Sequence, residues 1–179
     1  MKFSSQEEYG LRCLLRLGQE HGGEPTNGRP GAQPPRKGGE SRSLTIPEIS
    51  KLEGISQAYV AKLLRVLRTG GLVSSARGAA GGYVLARAPE RISVGEALAV
   101  LGGRLYEPAF CSEHSGDERV CTHSVDCSLR SLWRSLQLVL DQVLDRTSLR
   151  DLLCNETEMT QWVGHLVTVS GLAPAAPEN

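Results

Sequence analysis

The sequence lacks an apolar run long enough to cross a membrane, because no stretch approaches the roughly 18 uncharged apolar residues that a membrane helix needs. The first residues include the acidic pair Glu7 and Glu8 and no apolar run of signal-peptide length. There is also no Cys-x-x-Cys pair, no nucleotide-cofactor fingerprint and no recognisable Ser, His and Asp arrangement. These absences predict a cytoplasmic protein with no membrane partner, and they argue against an enzyme.

The chain of 179 residues has a formal net charge of zero, but the charge is unevenly distributed. Residues 43–91 contain seven basic and three acidic residues, whereas residues 92–179 have an excess of six acidic residues. A local excess of Lys and Arg is the usual electrostatic mark of phosphate binding, although one this small also suits an ordinary solvated surface. The length favours one core with an appendage over two large domains.

Five cysteines are present, and in a reducing cytosol this odd number is better explained by metal binding or redox chemistry than by disulfides. Cys111, Cys121 and Cys127 lie in one short, Gly-containing segment, whereas Cys13 and Cys154 lie apart. A flexible loop can turn three thiolates towards one centre, which predicts an iron–sulfur cluster or a zinc ion there. Cys13 is expected on the packed side of the first helix.

The chain is predicted to open with an amphipathic helix over residues 3–20, where apolar residues recur at helical spacing. The segment that follows, Gly22–Gly39, has six glycines and four prolines in eighteen residues. Such a composition cannot bury enough apolar surface to offset the entropy of ordering. We therefore expect a disordered insert of about residues 22–43 within the domain, acting as a solvated linker.

Two helix starts follow the insert. Thr45 and Glu48 form a capping-box pattern with Pro47 in the first turn, which predicts a short helix that ends near Gly54. Ser56 is predicted to cap a second helix. The apolar stripe of that helix consists of Val60, Leu63, Leu64 and Leu67. Two helices joined by a tight glycine turn predict a helix-turn-helix.

A β-hairpin is predicted next, with strands over residues 72–76 and 83–86 and a glycine-rich turn over residues 77–82. Ser93 and Glu96 then offer another capping box, which opens a helix. A long helix is predicted after the cysteines from the apolar residues Leu129, Leu132, Trp133, Leu136, Val139, Leu140, Val143 and Leu144. Its apolar face is too broad for so small a chain to cover, so a homodimer is expected.

These motifs together resemble the Rrf family of winged-helix iron–sulfur transcriptional regulators of the IscR and NsrR type. The residues that carry the resemblance are Ile55–Leu63, Leu67–Val73, Arg77–Tyr83, Ile92–Ala97, and Cys127 followed by Trp133. The likeness runs from Met1 to about Leu153, apart from the insert. It implies a mainly α fold with a small β-hairpin wing: a winged helix-turn-helix, a cysteine loop and a long dimerisation helix.

The expected organisation has four parts. Residues 1–103 form a winged helix-turn-helix DNA-binding domain, and residues 104–128 form a cysteine-rich cluster-binding loop. Residues 129–169 form a dimerisation helix and a C-terminal helical segment, and residues 170–179 form a flexible tail.

The expected partner is double-stranded DNA with a pseudo-palindromic operator. The predicted DNA-binding residues are Ser56, Gln57, Tyr59, Lys62, Arg65 and Arg77. The alternative for Tyr59 is a core aromatic that is hydrogen-bonded at its hydroxyl, and the alternative for Lys62 and Arg65 is a pair of solvated helix charges.

The resemblance assigns the three cluster ligands to Cys111, Cys121 and Cys127. The gap of nine residues between the first two exceeds the IscR pattern, and Arg130 stands where IscR-like members carry a ligand histidine. Arginine stays protonated and cannot ligate iron. The fourth ligand is therefore open among Glu8, which NsrR-like members support, His114, His123 and an exogenous molecule. The cofactor is expected to be a [2Fe-2S] or [4Fe-4S] cluster.

The expected function is a homodimeric DNA-binding repressor, not an enzyme, that senses iron, redox state or nitric oxide through this cluster. One alternative places a structural zinc at the same cysteines together with His123. Another makes Cys121 and Cys127 a disulfide thiol switch. For Glu8, an ion pair with Arg12 one helical turn later is the simpler structural interpretation.

Overall fold

The computed structural model describes residues 4–21, 41–76, 81–104, 106–107, 109–113, 121, 123 and 125–169. Helices predominate, and the strands of the described residues form one small antiparallel hairpin. In chain order the elements are α1 (Ser5–Gln19), α2 (Ile46–Glu53), α3 (Gln57–Thr69), β1 (Val73–Ala76), β2 (Gly82–Leu85), a 3-10 turn (Pro89–Arg91), α4 (Val94–Leu101), α5 (Phe110–Glu113), α6 (Ser128–Leu144), a 3-10 turn (Asp151–Leu153) and α7 (Glu156–Val169). No helix within these ranges is long and apolar enough to span a bilayer.

The predicted first helix forms as α1, which begins at Ser5, two residues after the predicted start, and contributes one face to the core. The Ser4 side chain accepts a hydrogen bond from the Glu7 amide, and the Glu7 carboxylate accepts one from the Ser4 amide, so a capping box fixes the first turn. The predicted packing of Cys13 is confirmed, because its side chain is fully buried with Leu14 in the core cluster. This face of α1 packs against α3 and α4.

The helix-turn-helix prediction is confirmed in detail. Thr45 and Glu48 form the capping box that starts α2, and Gly54 ends it in the left-handed region at φ 67°. Ser56 then caps α3 by accepting from the Tyr59 amide at 3.4 Å. The buried stripe of α3 is Val60, Leu63, Leu64 and Leu67, each with no exposed side-chain surface. Local capping and apolar spacing therefore determine both helices.

The predicted hairpin also forms. Val73 pairs with Leu85 at the open end and Ala76 with Gly82 near the tip, with antiparallel register. The short segment before α2 adds a bridge, because Leu44 exchanges backbone hydrogen bonds with Tyr83 at 3.0 and 2.8 Å. At Gly82 a side chain would come within 2.7 Å of the Leu44 carbonyl oxygen, so this close approach requires glycine.

Most of the predicted insert, residues 22–40, lies outside the described residues, as does the predicted tail, residues 170–179. The described chain resumes at residue 41, and residues 41–43, predicted to belong to the disordered insert, are structured. The Arg42 amide donates to the Glu20 carbonyl at 3.1 Å, and the Arg42 guanidinium pairs with the Glu20 and Glu48 carboxylates at 3.6 and 2.6 Å. The two ends of the insert are therefore held together.

Helix α4 contributes Ala97 and Leu101 to the core, and α6 packs against α4. Ser93 caps α4 by accepting from the Glu96 amide, but the predicted capping box is incomplete, because the Glu96 carboxylate pairs with Arg87 instead at 2.6 Å. Helix α6 confirms the predicted long helix after the cysteines. Of its seventeen residues only Gln137 is buried. Its exposed large apolar side chains are Leu129, Leu132, Trp133, Leu136, Leu138 and Val139.

Candidate DNA-binding face and cysteine site

Helix α3 has one apolar and one polar face, and the polar face is open to solvent. Ser56 and Gln57 at its start are exposed, as are Lys62 and Arg65 further along. The apolar face is anchored in the core, so these polar side chains are presented on a helix with little freedom to rotate. Such a helix can offer amide, hydroxyl and cationic groups to the major groove and phosphates of DNA.

Tyr59 joins this face to α1. Its ring packs edge-on against the Tyr9 ring, with centroids 6.0 Å apart, and is partly buried against the core cluster. The Lys62 ammonium lies 5.8 Å from the Tyr59 ring centroid, and the Arg12 guanidinium lies 5.5 Å from that of Tyr9. Among the described residues the Tyr59 hydroxyl has no hydrogen-bond partner, so Tyr59 does not match the alternative of a core aromatic that is hydrogen-bonded at its hydroxyl. The ring is therefore structural, while its hydroxyl remains available.

A buried carboxylate fixes the helix-turn-helix on α1, and the sequence analysis missed it. The Glu53 side chain, 8% exposed at the end of α2, accepts from the Arg12 Nε at 2.9 Å and the Arg16 Nε at 2.7 Å. Arg12 also donates to the Glu53 backbone carbonyl at 2.7 Å. The predicted alternative of an Arg12 pair with Glu8 is not formed, because Arg12 is turned towards Glu53. The sequence did contain one signal for this contact, because Arg12 and Arg16 are spaced by one helical turn and therefore lie on the same face of α1.

The hairpin lies next to α3 and packs on it through β1. Arg77, the predicted minor-groove residue at the wing tip, lies outside the described residues, so its position is not described. The strands that lead to it are placed by the register of Val73 with Leu85 and by the bridge from Leu44.

The three clustered cysteines occupy different local structures. Cys111 lies in the short helix α5, which corrects the expectation that all three lie on a loop. Cys127 precedes α6 and caps it, because its sulfur accepts from the Arg130 amide at 3.4 Å. Cys121 is half-buried. All five cysteines of the chain are free thiols.

Cys111 has a specific partner. Its sulfur lies 3.3 Å from the hydroxyl of Tyr106, a residue only 6% exposed. The hydrogen bond with Cys111 raises the pKa of the Tyr106 hydroxyl, and burial adds to the effect, so the hydroxyl stays protonated at neutral pH and can donate to sulfur. The Tyr106 ring also packs against Phe110, with centroids 5.7 Å apart.

Three thiols suit iron or zinc in their donor chemistry, but among the described residues they are not gathered into a ligand group. Among the described residues no three His, Cys, Asp or Glu side chains come together as a ligand group. His123 and Glu8 are both exposed, and His114 lies outside the described residues. The donors would therefore have to move together to hold a cluster or a zinc ion.

Known proteins share both the sequence and the architecture. The family model described as Rrf2, iron-dependent transcriptional regulator, matches residues 36–155. The transcriptional regulator CymR of Bacillus subtilis is 32% identical over 152 residues, which cover 85% of this chain and 89% of CymR. The solved structure of CymR, titled the global cysteine regulator of B. subtilis, matches with a TM-score of 0.60 at 28% identity, covering 86% of this chain and 96% of that one.

A second structure gives the same result. T. potens IscR matches with a TM-score of 0.58 at 30% identity, covering 86% of each chain. These neighbours are winged-helix regulators, so the predicted fold class is confirmed, and relatives named as transcriptional regulators confirm the prediction that this is not an enzyme family. The family model covers two thirds of the sequence, and the fold agrees with it. The chain therefore belongs to the Rrf2 family of transcriptional regulators.

Proposed function

We propose that the protein is a homodimeric repressor that binds a pseudo-palindromic DNA operator through α3 and the hairpin. The observation that carries the proposal is the exposed polar face of α3 on a helix whose other face is locked into the core. Within residues 1–103, Gln57 is assigned as the base reader, and Ser56, Tyr59, Lys62 and Arg65 as phosphate or base contacts. Arg77 at the wing is assigned to the minor groove.

The dimer is proposed to form through α6, within the segment of residues 129–169. Leu129, Leu132, Trp133 and Leu136 are between 39% and 61% exposed. They lie on one side of the helix, because Leu132 and Trp133 follow Leu129 by three and four residues and precede Leu136 by four and three. A second copy can cover such a stripe with its own, because a two-fold axis brings identical faces together. Gln137, on another side, faces this chain's own fold.

The segment of residues 104–128 is proposed as the sensor, with Cys111, Cys121 and Cys127 as ligands of an iron–sulfur cluster and Glu8 as the candidate fourth ligand. Support comes from the three free thiols and from the iron-dependent family description. A cluster would supply a centre that iron status, redox state or nitric oxide can alter. Since the described donors are apart, a metal-free thiol switch is the second candidate.

Titration of operator DNA tests the DNA-binding assignment. Lys62→Ala should weaken binding to all sequences and lower the salt dependence by about one unit of slope, as expected for one phosphate contact. Gln57→Ala should instead relax preference at one base position. The matched control is Arg91→Ala, because Arg91 is also exposed but belongs to the 3-10 turn after the hairpin and not to α3. Equal losses for Lys62→Ala and Arg91→Ala would remove α3 from the interface.

Anaerobic purification with a visible spectrum and with iron, sulfide and zinc analysis tests the sensor. Alanine at Cys111, Cys121 or Cys127 should each abolish a stable chromophore, whereas Cys13→Ala should not, because that thiol is fully buried in the core. Glu8→Ala should shift the spectrum if the carboxylate ligates. Zinc without a visible band would replace the cluster by a structural zinc, and protein with neither would leave the thiol switch.

A further inference from the structure

A short chain of hydrogen bonds joins the Cys111 thiol to helix α6. The Cys111 sulfur contacts the Tyr106 hydroxyl at 3.3 Å, and the Tyr106 backbone amide donates to the Gln137 side-chain carbonyl at 2.9 Å. Both intermediate residues are buried, Tyr106 at 6% exposure and Gln137 at 8%. Buried polar groups need specific partners, so these contacts fix the geometry more strongly than surface bonds would.

The orientation of Gln137 is itself fixed from the other side. Its amide nitrogen donates to Asp141 Oδ1 at 2.7 Å, and the second Asp141 oxygen pairs with Arg104. An amide group has one carbonyl and one NH₂ end, and here each end has a matching partner, so a flipped amide would lose both bonds. Gln137, which is part of α6, therefore holds the backbone of Tyr106 in one position against that helix.

We propose that Tyr106 and Gln137 are positioning residues that hold the Cys111 thiol on the flank of α6 and transmit a change at its sulfur to that helix. The inference rests on the proposed function in one respect, namely that Cys111 belongs to the sensor. Any group that binds to or modifies the Cys111 sulfur competes with the Tyr106 hydroxyl for that atom. Losing that bond loosens Tyr106, and the buried Gln137 on α6 then loses the amide that it binds.

The test perturbs the sulfur alone and reads the neighbouring amide. The full chain carries Cys121→Ser, Cys127→Ser and Cys154→Ser, so that Cys111 is the accessible thiol and Cys13 stays buried. Iodoacetamide alkylates Cys111: a sulfur–carbon bond forms, iodide leaves and the thiol proton goes to solvent. Hydrogen exchange of the Tyr106 backbone amide is then followed by NMR, with the amide of the fully buried Leu64 as a measure of core integrity.

Alkylation should speed exchange at Tyr106 about fivefold, the size expected for one ordinary hydrogen bond, and leave Leu64 unchanged. In Tyr106→Phe, which keeps the ring and lacks the hydroxyl, exchange at residue 106 should already be fast and alkylation should add nothing. Gln137→Met should speed exchange at Tyr106 without alkylation. The matched control, Gln142→Met, changes an exposed glutamine of the same helix and should have no effect.

A second control keeps Cys127 as the accessible thiol and replaces Cys111 by Ser, and its alkylation should leave Tyr106 unchanged. The proposal is overturned if alkylated Cys111 does not alter exchange at Tyr106, if Tyr106→Phe responds to alkylation as the parent does, or if Leu64 exchange rises in parallel. Failure of the sensor assignment is a separate result, because the wild-type chain would then hold no chromophore while these exchange rates stayed as expected.

Discussion

Replacing Leu132 by Ala on α6 should weaken the proposed dimer by a calculable amount. Leu132 is 49% exposed, so about half of its side chain is left to be covered by a partner. Full burial of a leucine side chain stabilises by about 1.5–3 kcal/mol, so half burial is worth about 1 kcal/mol per chain. A two-fold axis counts the loss twice, giving about 2 kcal/mol, or a dissociation constant raised about 30-fold.

Sedimentation equilibrium over a dilution series measures that constant directly. The intrinsic fluorescence of a Trp162→Phe background, in which Trp133 is the remaining tryptophan of the chain and is 39% exposed on the same stripe, gives a second reading. The matched control is Leu138→Ala. Leu138 is 63% exposed, more than Leu132, but the helical period places it on the opposite side of α6. Its replacement should leave the dissociation constant within a factor of about two, an effect below 0.5 kcal/mol as for ordinary surface changes.

The two variants therefore distinguish a specific dimer interface from non-specific hydrophobic association. Equal weakening by Leu132→Ala and Leu138→Ala would mean that α6 associates through apolar surface without a defined face. Unchanged dimers in both would move the interface away from this helix. A monomeric wild-type chain at all concentrations would refute the reasoning at its base, because the exposed stripe would then have no partner copy.

Three further predictions concern the stability of the folded chain, and urea unfolding checks each of them. Burial raises the pKa of Cys13 from its ordinary 9.0 to about 12, with Glu53 adding to the effect, so the unfolded chain loses this proton at lower pH than the folded chain. Below pH 9 the free energy of unfolding should not depend on the ionisation of Cys13, and above pH 9 it should fall by about 1.4 kcal/mol per pH unit. Cys13→Ala should lack this fall, and an equal pH dependence in the variant would contradict the assignment. Gly82→Ala should destabilise by about 1–3 kcal/mol because its new methyl group meets the backbone of Leu44, whereas Gly164→Ala, with open space around it in α7, should stabilise by about 0.5–1 kcal/mol. Glu53→Gln should cost about 1–3 kcal/mol, less than a fully buried pair because both arginines reach water, and a neutral result would show that the clamp contributes no net stability.

Local signals in the sequence predicted the winged helix-turn-helix well. Thr45 with Glu48 and Ser56 are caps that act within three residues, and they start α2 and α3 as expected. The same rule was wrong at Glu96, where the motif is present but the carboxylate binds Arg87, nine residues away. A capping motif therefore predicts a helix start more reliably than it predicts the partner of every side chain.

Long-range polar contacts were beyond the sequence pattern. Gln137 lies in a helix that was predicted from its apolar residues, and its partner Tyr106 is 31 residues away in the sequence. Neither spacing nor composition therefore indicates this hydrogen bond. Glu53 likewise meets Arg12 across 41 residues. The cysteine cluster was recognised from the positions of the three residues in one segment, but their local structures were not predicted, because a four-residue helix around Cys111 leaves no periodic signal.

The joined ends of the insert have a practical consequence for protein engineering. Glu20 and Arg42 are hydrogen-bonded backbone to backbone and paired through their side chains, so the domain closes across this point whatever connects the two residues. The entropy of closing a loop changes by only about 0.6 kcal/mol for each doubling of its length. Residues 22–40 therefore offer a position where the nineteen natural residues can be exchanged for a short linker, an affinity tag or a fluorescent reporter. The helix-turn-helix would keep its fold, and the reporter would travel with the DNA-binding unit.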